Sequence, residues 1–281
     1  MANETFDVIV AGFGFGGAIS ALNAAQCGAK TLLIEKSTQP GGLSICSYGA
    51  VRSAADPDKA FQYLKATNAG RTPDTVLRAL AQGMCDVERY VRELAKVNGA
   101  KIATSKDQAL APDRSNAPYV HEQRPQRRNS GNYPLPGTDT FYHTTVEEVP
   151  GFDVRKHYPW ANGAPDGPKL FKILHDNLIK HGVEIRLGTP ALRLLAEPES
   201  REVRGIRVRT NGGEHDIRAR RGVVLATGGF EGDPDMRDQF MTSLRVSMAV
   251  STCCLDFGQR YRTTPITSPP QNPVRMRVCG E

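Results

Sequence analysis

The sequence predicts an α/β protein built around a parallel sheet. Three observations carry that expectation: Asp7–Ala11 (DVIVA) and Thr31–Glu35 (TLLIE) are short apolar runs, a helix-forming stretch lies between them, and a third such run, GVVLA, returns at Gly222–Ala226. Runs of this kind form strands buried on both faces, and a helix between two of them is the crossover of a βαβ unit.

The first strand leads into AGFGFGGA, where Gly12, Gly14 and Gly17 give the spacing G-x-G-x-x-G before a helix expected from about Gly17, with Gly28 at its end. The first glycine permits a tight turn, the second lets backbone approach a pyrophosphate, and the third lets helix and strand pack closely. The helix N-terminus then offers free N–H groups and its positive dipole end to phosphate. Glu35, at the end of the second strand, stands where a carboxylate accepts hydrogen bonds from ribose hydroxyls. Lys36 reads as a solvated side chain or an adenosine contact. Together these features describe a Rossmann-like dinucleotide site.

Further along, a helix is expected from Thr72 as N-cap with Pro73 at its first position. Its core face is expected to carry Val76, Leu77, Leu80, Met84, Val87, Val91 and Leu94, with a break near Gly83 and an end at Asn98-Gly99. Residues 102–168 are rich in Pro, Gly, Asn and Asp, and read either as an irregular excursion over the sheet or as a set of short strands. Segments of that length in compact domains usually cover a site. Regularity returns in Gly167–Gly182, a helix with Leu170, Phe171, Leu174, Leu178 and Ile179 toward the core. After it come VEIRL, ALRLLA and the hairpin-like REVRGIRVRTNGGEHDIRA, an added β-meander before GVVLA. From Met241 periodicity stops, lysine is absent, and Ser, Thr, Pro and Arg dominate. The expected organisation is one domain over 1–240, with 102–168 as an excursion within it, and an atypical, poorly ordered tail over 241–281.

Composition excludes several classes. The chain has 281 residues, 39% hydrophobic and 23% charged, enough for a sizeable core. Its net charge of +6 comes from scattered basic residues, apart from EQRPQRR at 122–128, which lacks interleaved aromatics and reads as a solvated loop; no nucleic-acid partner is expected. Six cysteines show neither disulfide density nor metal spacing, and the histidines show no H-E-x-x-H, so no metal site is expected. The N-terminus lacks a signal-peptide pattern and no apolar run is long enough to span a membrane, so the expected location is cytoplasmic, with reduced thiols.

The G-x-G-x-x-G unit does not decide between NAD and FAD, but STQPGGLSICSYGAV does. Gly41 and Gly42 let a loop run close to a ligand, Ser44 and Ser47 offer hydroxyls, and Gly49 permits another close approach. Here the chain resembles the flavoprotein family of fumarate reductases, succinate dehydrogenases and 3-ketosteroid Δ1-dehydrogenases. Members of that family read strand, G-x-G-x-x-G, helix, strand ending E-K, then G-G-x-[ST] and a run of small residues. Arg186–Leu195 (RLGTPALRLL) and Val223–Met236 (VVLATGGFEGDPDM) extend the resemblance over roughly residues 5–240.

The resemblance implies FAD as cofactor. It implies that Gly12, Gly14, Gly16 and Gly17 hold the pyrophosphate and Glu35 the adenosine ribose. Gly41, Gly42, Ser44, Ser47 and Gly49 would lie along the ribityl chain and flavin ring, Ala191 would meet the adenine, and Ala226, Thr227 and Gly228 would close over the cofactor. Ser47 and Thr227 read equally well as caps of local turns, and Ala191 as strand core. Leu43 occupies the place where covalent members of the family carry a histidine, so a non-covalent flavin is expected; Tyr48 and Ala50 replace residues that are often glycine. The spacing of Ser47 and Gly49 is nearer the ketosteroid dehydrogenase type.

By resemblance the reaction is oxidation or reduction of a C–C bond in a small molecule by hydride transfer to or from flavin N5, with an electron-transfer partner. The family's capping domain and final flavin segment have no counterpart in the 281 residues, so no catalytic residue is assigned. Tyr133, Tyr142 and His143 are proton carriers by type only. The alternative expectations are a truncated, inactive FAD-binding fragment, with a reading-frame change after Phe240, and an enzyme completed by a second polypeptide.

Overall fold

The computed structural model describes residues 4–106, 135–230 and 233–240. It divides into two units: one comprises the chain up to Tyr48 and from Phe152 onward, the other Gly49–Gly151. Tyr133, the basic run at 122–128 and the tail after Phe240 lie outside the described residues.

In the first unit, β1 (Thr5–Ala11), α1 (Phe15–Gln26) and β2 (Thr31–Ile34) form the expected βαβ unit. Its strands are parallel, with Val8 opposite Thr31 and Ala11 opposite Ile34. The helix begins at Phe15, two residues before the expected start, because Gly16 and Gly17 already belong to its first turn. The sheet continues with β6 (Glu184–Arg186), β7 (Ala191–Ala196), β8 (Val203–Thr210) and β9 (Gly213–Leu225), in the order β6-β2-β1-β9-β8-β7. The separate strand expected at GVVLA is the second half of β9. That single 13-residue strand pairs antiparallel with β8 through Gly213–Arg218 and parallel with β1 through Arg218–Leu225. Strand β9 therefore joins the meander to the parallel strands without a connecting loop.

Both faces of the parallel strands are covered, as their continuous apolar runs require. Phe6, Ile9, Leu32 and Ile34 share one buried cluster with Ile206, Val208 and Ile217 of the meander. Leu170, Phe171, Ile173, Leu174 and Leu178 are buried on a long helix, Gly167–Lys180. Ile179, expected in the core, is exposed instead. Ile173 takes its place because it lies one turn below Asn177 and beside Leu170 on the inward stripe.

The second unit is a three-stranded antiparallel sheet, β3 (Val51–Ala54), β5 (Phe141–Glu148) and β4 (Lys101–Thr104) in the order β3-β5-β4, with helices α2 (Pro57–Thr67) and α3 (Asp74–Ala95). The helix from Thr72 starts one residue past Pro73, which sits at the cap without a side-chain hydrogen bond, and it runs through Gly83 unbroken. Its buried stripe is Leu77, Ala81, Val91, Leu94 and Ala95, while Val76 and Leu80 face solvent. Large and small side chains alternate where α2 and α3 pack: Ala60, Phe61, Tyr63, Leu77 and Ala81 form one cluster with Ala54 and Phe141.

Candidate functional site

The site is built where the C-terminal ends of β1, β2 and β9 meet, the edge at which open α/β sheets bind ligands. A cleft there is lined by Ala11, Gly12, Ile34, Glu35, Lys36, Thr189, Ala191 and Thr227. Five of the residues singled out from sequence, Gly12, Glu35, Lys36, Ala191 and Thr227, thus come together around one cavity although they span more than two hundred positions.

Its floor is the turn from β1 to α1. Gly12 has φ +106°, and a Cβ there would stand 2.2 Å from the carbonyl oxygen of Ala226. A Cβ on Gly17 would stand 1.8 Å from the carbonyl oxygen of Gly12. Both positions are closed to any side chain by neighbouring backbone. The space beside Gly16 is different, with no atom within 4 Å of where a Cβ would be. That open space lies at the first turn of α1, whose N–H groups have no acceptor within the helix. The cap residue Gly14 has no side chain to serve them, and Ser44 partly compensates: its Oγ accepts from the Phe15 N–H at 3.1 Å.

Glu35 has a second task that sequence reasoning missed. The side chain is buried, at 9% exposure, with Oε2 accepting from the Phe13 N–H at 2.8 Å and Oε1 from the Ser37 N–H at 2.9 Å. One carboxylate therefore fixes the glycine turn and the chain leaving β2. Each oxygen retains a lone pair, so hydroxyl donors in the cleft can still be accepted. Phe13 itself is the hub of the turn, because its carbonyl accepts from the Gly41 N–H at 2.8 Å. Thr189 also went unread; its N–H donates to the Glu35 carbonyl at 2.8 Å, and only its position two before Ala191 pointed to it.

The loop after β2 turns at Gly41, φ +107°, into a 3-10 turn over Gly42–Cys46. A Cβ on Gly41 would meet Ile45 at 2.7 Å, and one on Gly14 would meet the Ser44 Oγ at 3.0 Å, so this loop and the glycine turn are in close register. The Ser47 carbonyl accepts from the Gly167 N–H at 2.8 Å, tying the loop to the long helix. A Cβ on Gly167 would crowd the Ile45 and Ser47 carbonyl oxygens, which makes Gly167 a further residue of the loop's seat that the sequence showed only as a helix start. Gly49 is the first residue of the second unit. At the other edge, the Ala226 N–H donates to the Ala11 carbonyl at 2.8 Å, and Gly228 adopts a left-handed φ of +82°.

The proton carriers named by type behave differently. In the second unit the Tyr142 hydroxyl donates to Glu88 Oε2 at 3.1 Å, and burial and that carboxylate push its pKa up to about 12. His143 on the neighbouring position is held below the ordinary imidazole range by burial and by Arg52. Among the described residues no cluster of His, Cys, Asp and Glu could hold a metal, and no helix is long and apolar enough to cross a membrane.

The residues present fit a bound dinucleotide: Ala11, Ile34 and Ala191 offer apolar wall, Glu35 an acceptor, and the Gly16 side of the turn open space at a helix N-terminus. The fold and the cleft define a dinucleotide-binding α/β protein. Residues 7–255 match the family described as FAD binding domain, and the chain belongs to that family, whose cofactor is FAD. The 3-oxosteroid 1-dehydrogenase of Comamonas testosteroni is 25% identical over 93% of this chain and 53% of its own length. A fumarate reductase (cytochrome) of Shewanella frigidimarina is 27% identical over 81% of this chain and 34% of its own. The structure of 3-ketosteroid-Δ4-(5α)-dehydrogenase from Rhodococcus jostii RHA1, with 4-androstene-3,17-dione, superposes with a TM-score of 0.62 at 20% identity, covering 85% of this chain and 49% of that one. The chain spans about half the length of the first of these relatives and less of the second.

Proposed function

We propose that the chain binds FAD non-covalently as the cofactor-binding part of an oxidoreductase acting on C–C bonds of a small molecule, by dehydrogenation or enoate reduction. The observation that carries the reading is the cleft at the ends of β1, β2 and β9, with the Glu35 carboxylate held at its wall. In this reading Gly12, Gly14, Gly16 and Gly17 receive the pyrophosphate, Glu35 the ribose hydroxyls with Lys36 beside it, and Ala191 the adenine. Gly41, Gly42, Ser44, Ser47 and Gly49 run along the ribityl chain and ring, and Ala226, Thr227 and Gly228 close the site. When bound, FAD supplies a two-electron acceptor or donor for hydride. The chain's own part is to bind and orient it. Leu43 offers no nucleophilic nitrogen, which favours a non-covalent cofactor.

The named relatives favour a substrate with an activated C–C bond, such as a 3-oxosteroid or fumarate, and an electron-transfer partner. Reconstitution with FAD followed by acid precipitation tests the cofactor reading. Flavin absorbance must co-elute with the folded protein and pass into the supernatant on acid; a folded protein that takes up no flavin refutes it. A second reading, FAD binding without turnover by the isolated chain, is favoured by the share of the relatives' length that it spans. Turnover of a 3-oxosteroid or an enoate by the 281-residue protein would exclude it.

A further inference from the structure

Behind the glycine turn lies a polar pair, buried Tyr158 and half-buried His175, that the cofactor reading does not use. The Phe13 ring is completely buried, 5.0 Å from Phe171 and edge-on to His175 at 5.4 Å. The His175 Nδ1 shares a 3.0 Å hydrogen bond with the hydroxyl of Tyr158, which is 3% exposed and packs against Phe171 at 5.5 Å and Trp160 at 5.4 Å. Purely apolar side chains of similar size would fill this volume without a hydroxyl and an imidazole to satisfy. What the pair adds is direction: a hydrogen bond orients the imidazole, and the perpendicular packing of the two rings orients Phe13. The Phe13 peptide in turn carries the bonds to Glu35 and Gly41.

We propose that Tyr158 and His175 are positioning residues for the dinucleotide, locking Phe13 so that the glycine turn keeps the shape that receives the pyrophosphate. The proposal rests on the reading of the cleft as the FAD site. Burial holds the Tyr158 phenol well above its ordinary range and the His175 imidazole below its own, so the bond joins two neutral groups at neutral pH. The charged groups that act on His175 are Asp176 and Lys172 of the same helix, with opposite effects.

The test measures FAD affinity by quenching of flavin fluorescence, and amide exchange of residues 12–17 without FAD. Tyr158→Phe, which removes one oxygen and keeps the ring, and His175→Phe should each bind FAD about tenfold more weakly, with faster exchange in the turn. His175→Asn, whose amide oxygen can stand near the Nδ1 position, should recover affinity to within about threefold of the parent. Parental affinity in Tyr158→Phe, or no recovery in His175→Asn relative to His175→Phe, would overturn the proposal and leave the pair as ordinary core. If the parent protein takes up no FAD, the reading of the cleft fails; the exchange arm still decides the pair, since unchanged protection of residues 12–17 in Tyr158→Phe refutes it.

Discussion

The glycine turn of the first unit and the sheet of the second are held together by opposite means. Around the turn the walls are backbone: carbonyl oxygens stand where the Cβ atoms of Gly12 and Gly17 would be, and a buried carboxylate grips the chain through N–H groups. In the sheet of the second unit side chains do the holding. Phe141 lies 4.3 Å from the Arg52 guanidinium and 5.0 Å from the Tyr63 ring, Arg78 covers Phe61 at 3.9 Å, and Ser53 bonds Thr144 at 2.8 Å. A wall of backbone leaves no freedom for substitution but presents donors and open space to a ligand. A wall of side chains can be repacked residue by residue. The ligand site belongs to the first kind.

The sharpest way to break this contrast is within the turn itself. Gly17→Ala should cost about 3 kcal/mol of stability and abolish FAD binding, because the new methyl meets the Gly12 carbonyl. Gly16→Ala, with open space at its Cβ, should melt within about 0.5 kcal/mol of the parent and yet bind FAD more weakly. Thermal melts beside flavin titrations separate the two; equal stability losses would mean that Gly16 is packed like Gly17.

Next in size is Glu35→Ala, expected to cost about 2 kcal/mol without any cofactor present, since the Phe13 and Ser37 N–H groups lose a charged acceptor. A loss seen only with FAD bound would reduce Glu35 to a ligand contact.

The two regions should also fail on opposite sides of neutral pH. Burial lowers the His175 pKa from 6.5, so the unfolded chain takes up that proton first; its contribution is in place above pH 6.5 and is lost as pH falls through the folded-state value. Tyr142 ionises near 10 when unfolded but at about 12 when folded, so its contribution is in place below 10 and is lost as pH rises through 12. Melts of His175→Asn and Tyr142→Phe against the parent should flatten the acid limb in one and the alkaline limb in the other.

The smallest expected effect is a gain. Gly83 is exposed inside α3 with nothing within 4 Å of a Cβ, so Gly83→Ala should stabilise by about 0.5–1 kcal/mol, measured by denaturant midpoint.

The strands and turn of the first unit were legible because doubly buried strands are written as continuous apolar runs, and because carbonyls that exclude a Cβ leave glycine as their trace. Helix α2 also carried a signal: Asp56 accepts from the Asp58 and Lys59 N–H groups, with Pro57 behind it. Only Ala60, Phe61 and Tyr63 are buried along it, too few to show a periodicity. Strand β5 was open only as one of a set of short strands within 102–168, because its segment is surrounded by Pro, Gly and Asp, although Phe141, Tyr142, Thr144 and Val146 are all buried. Glu35 was legible as an acceptor and illegible as a clamp, since what it clamps lies twenty-two residues earlier and is a backbone N–H. No pattern of residue types records that bond. The same holds for Tyr158 and His175, which are helix and turn residues until the fold brings them behind Phe13.

The long strand β9 sets a timetable for synthesis. Strand β1 finds β2 within some thirty residues, but its other edge, from Thr5 to Ala11, pairs only with Arg218–Leu225. At a translation rate of roughly 5–20 residues per second, that apolar edge waits on the order of 10–40 s on the ribosome before its partner emerges. Through that interval Val8, Ile9 and Val10 form an open template for any other strand, and the yield of folded protein depends on what guards that edge until Arg218 arrives.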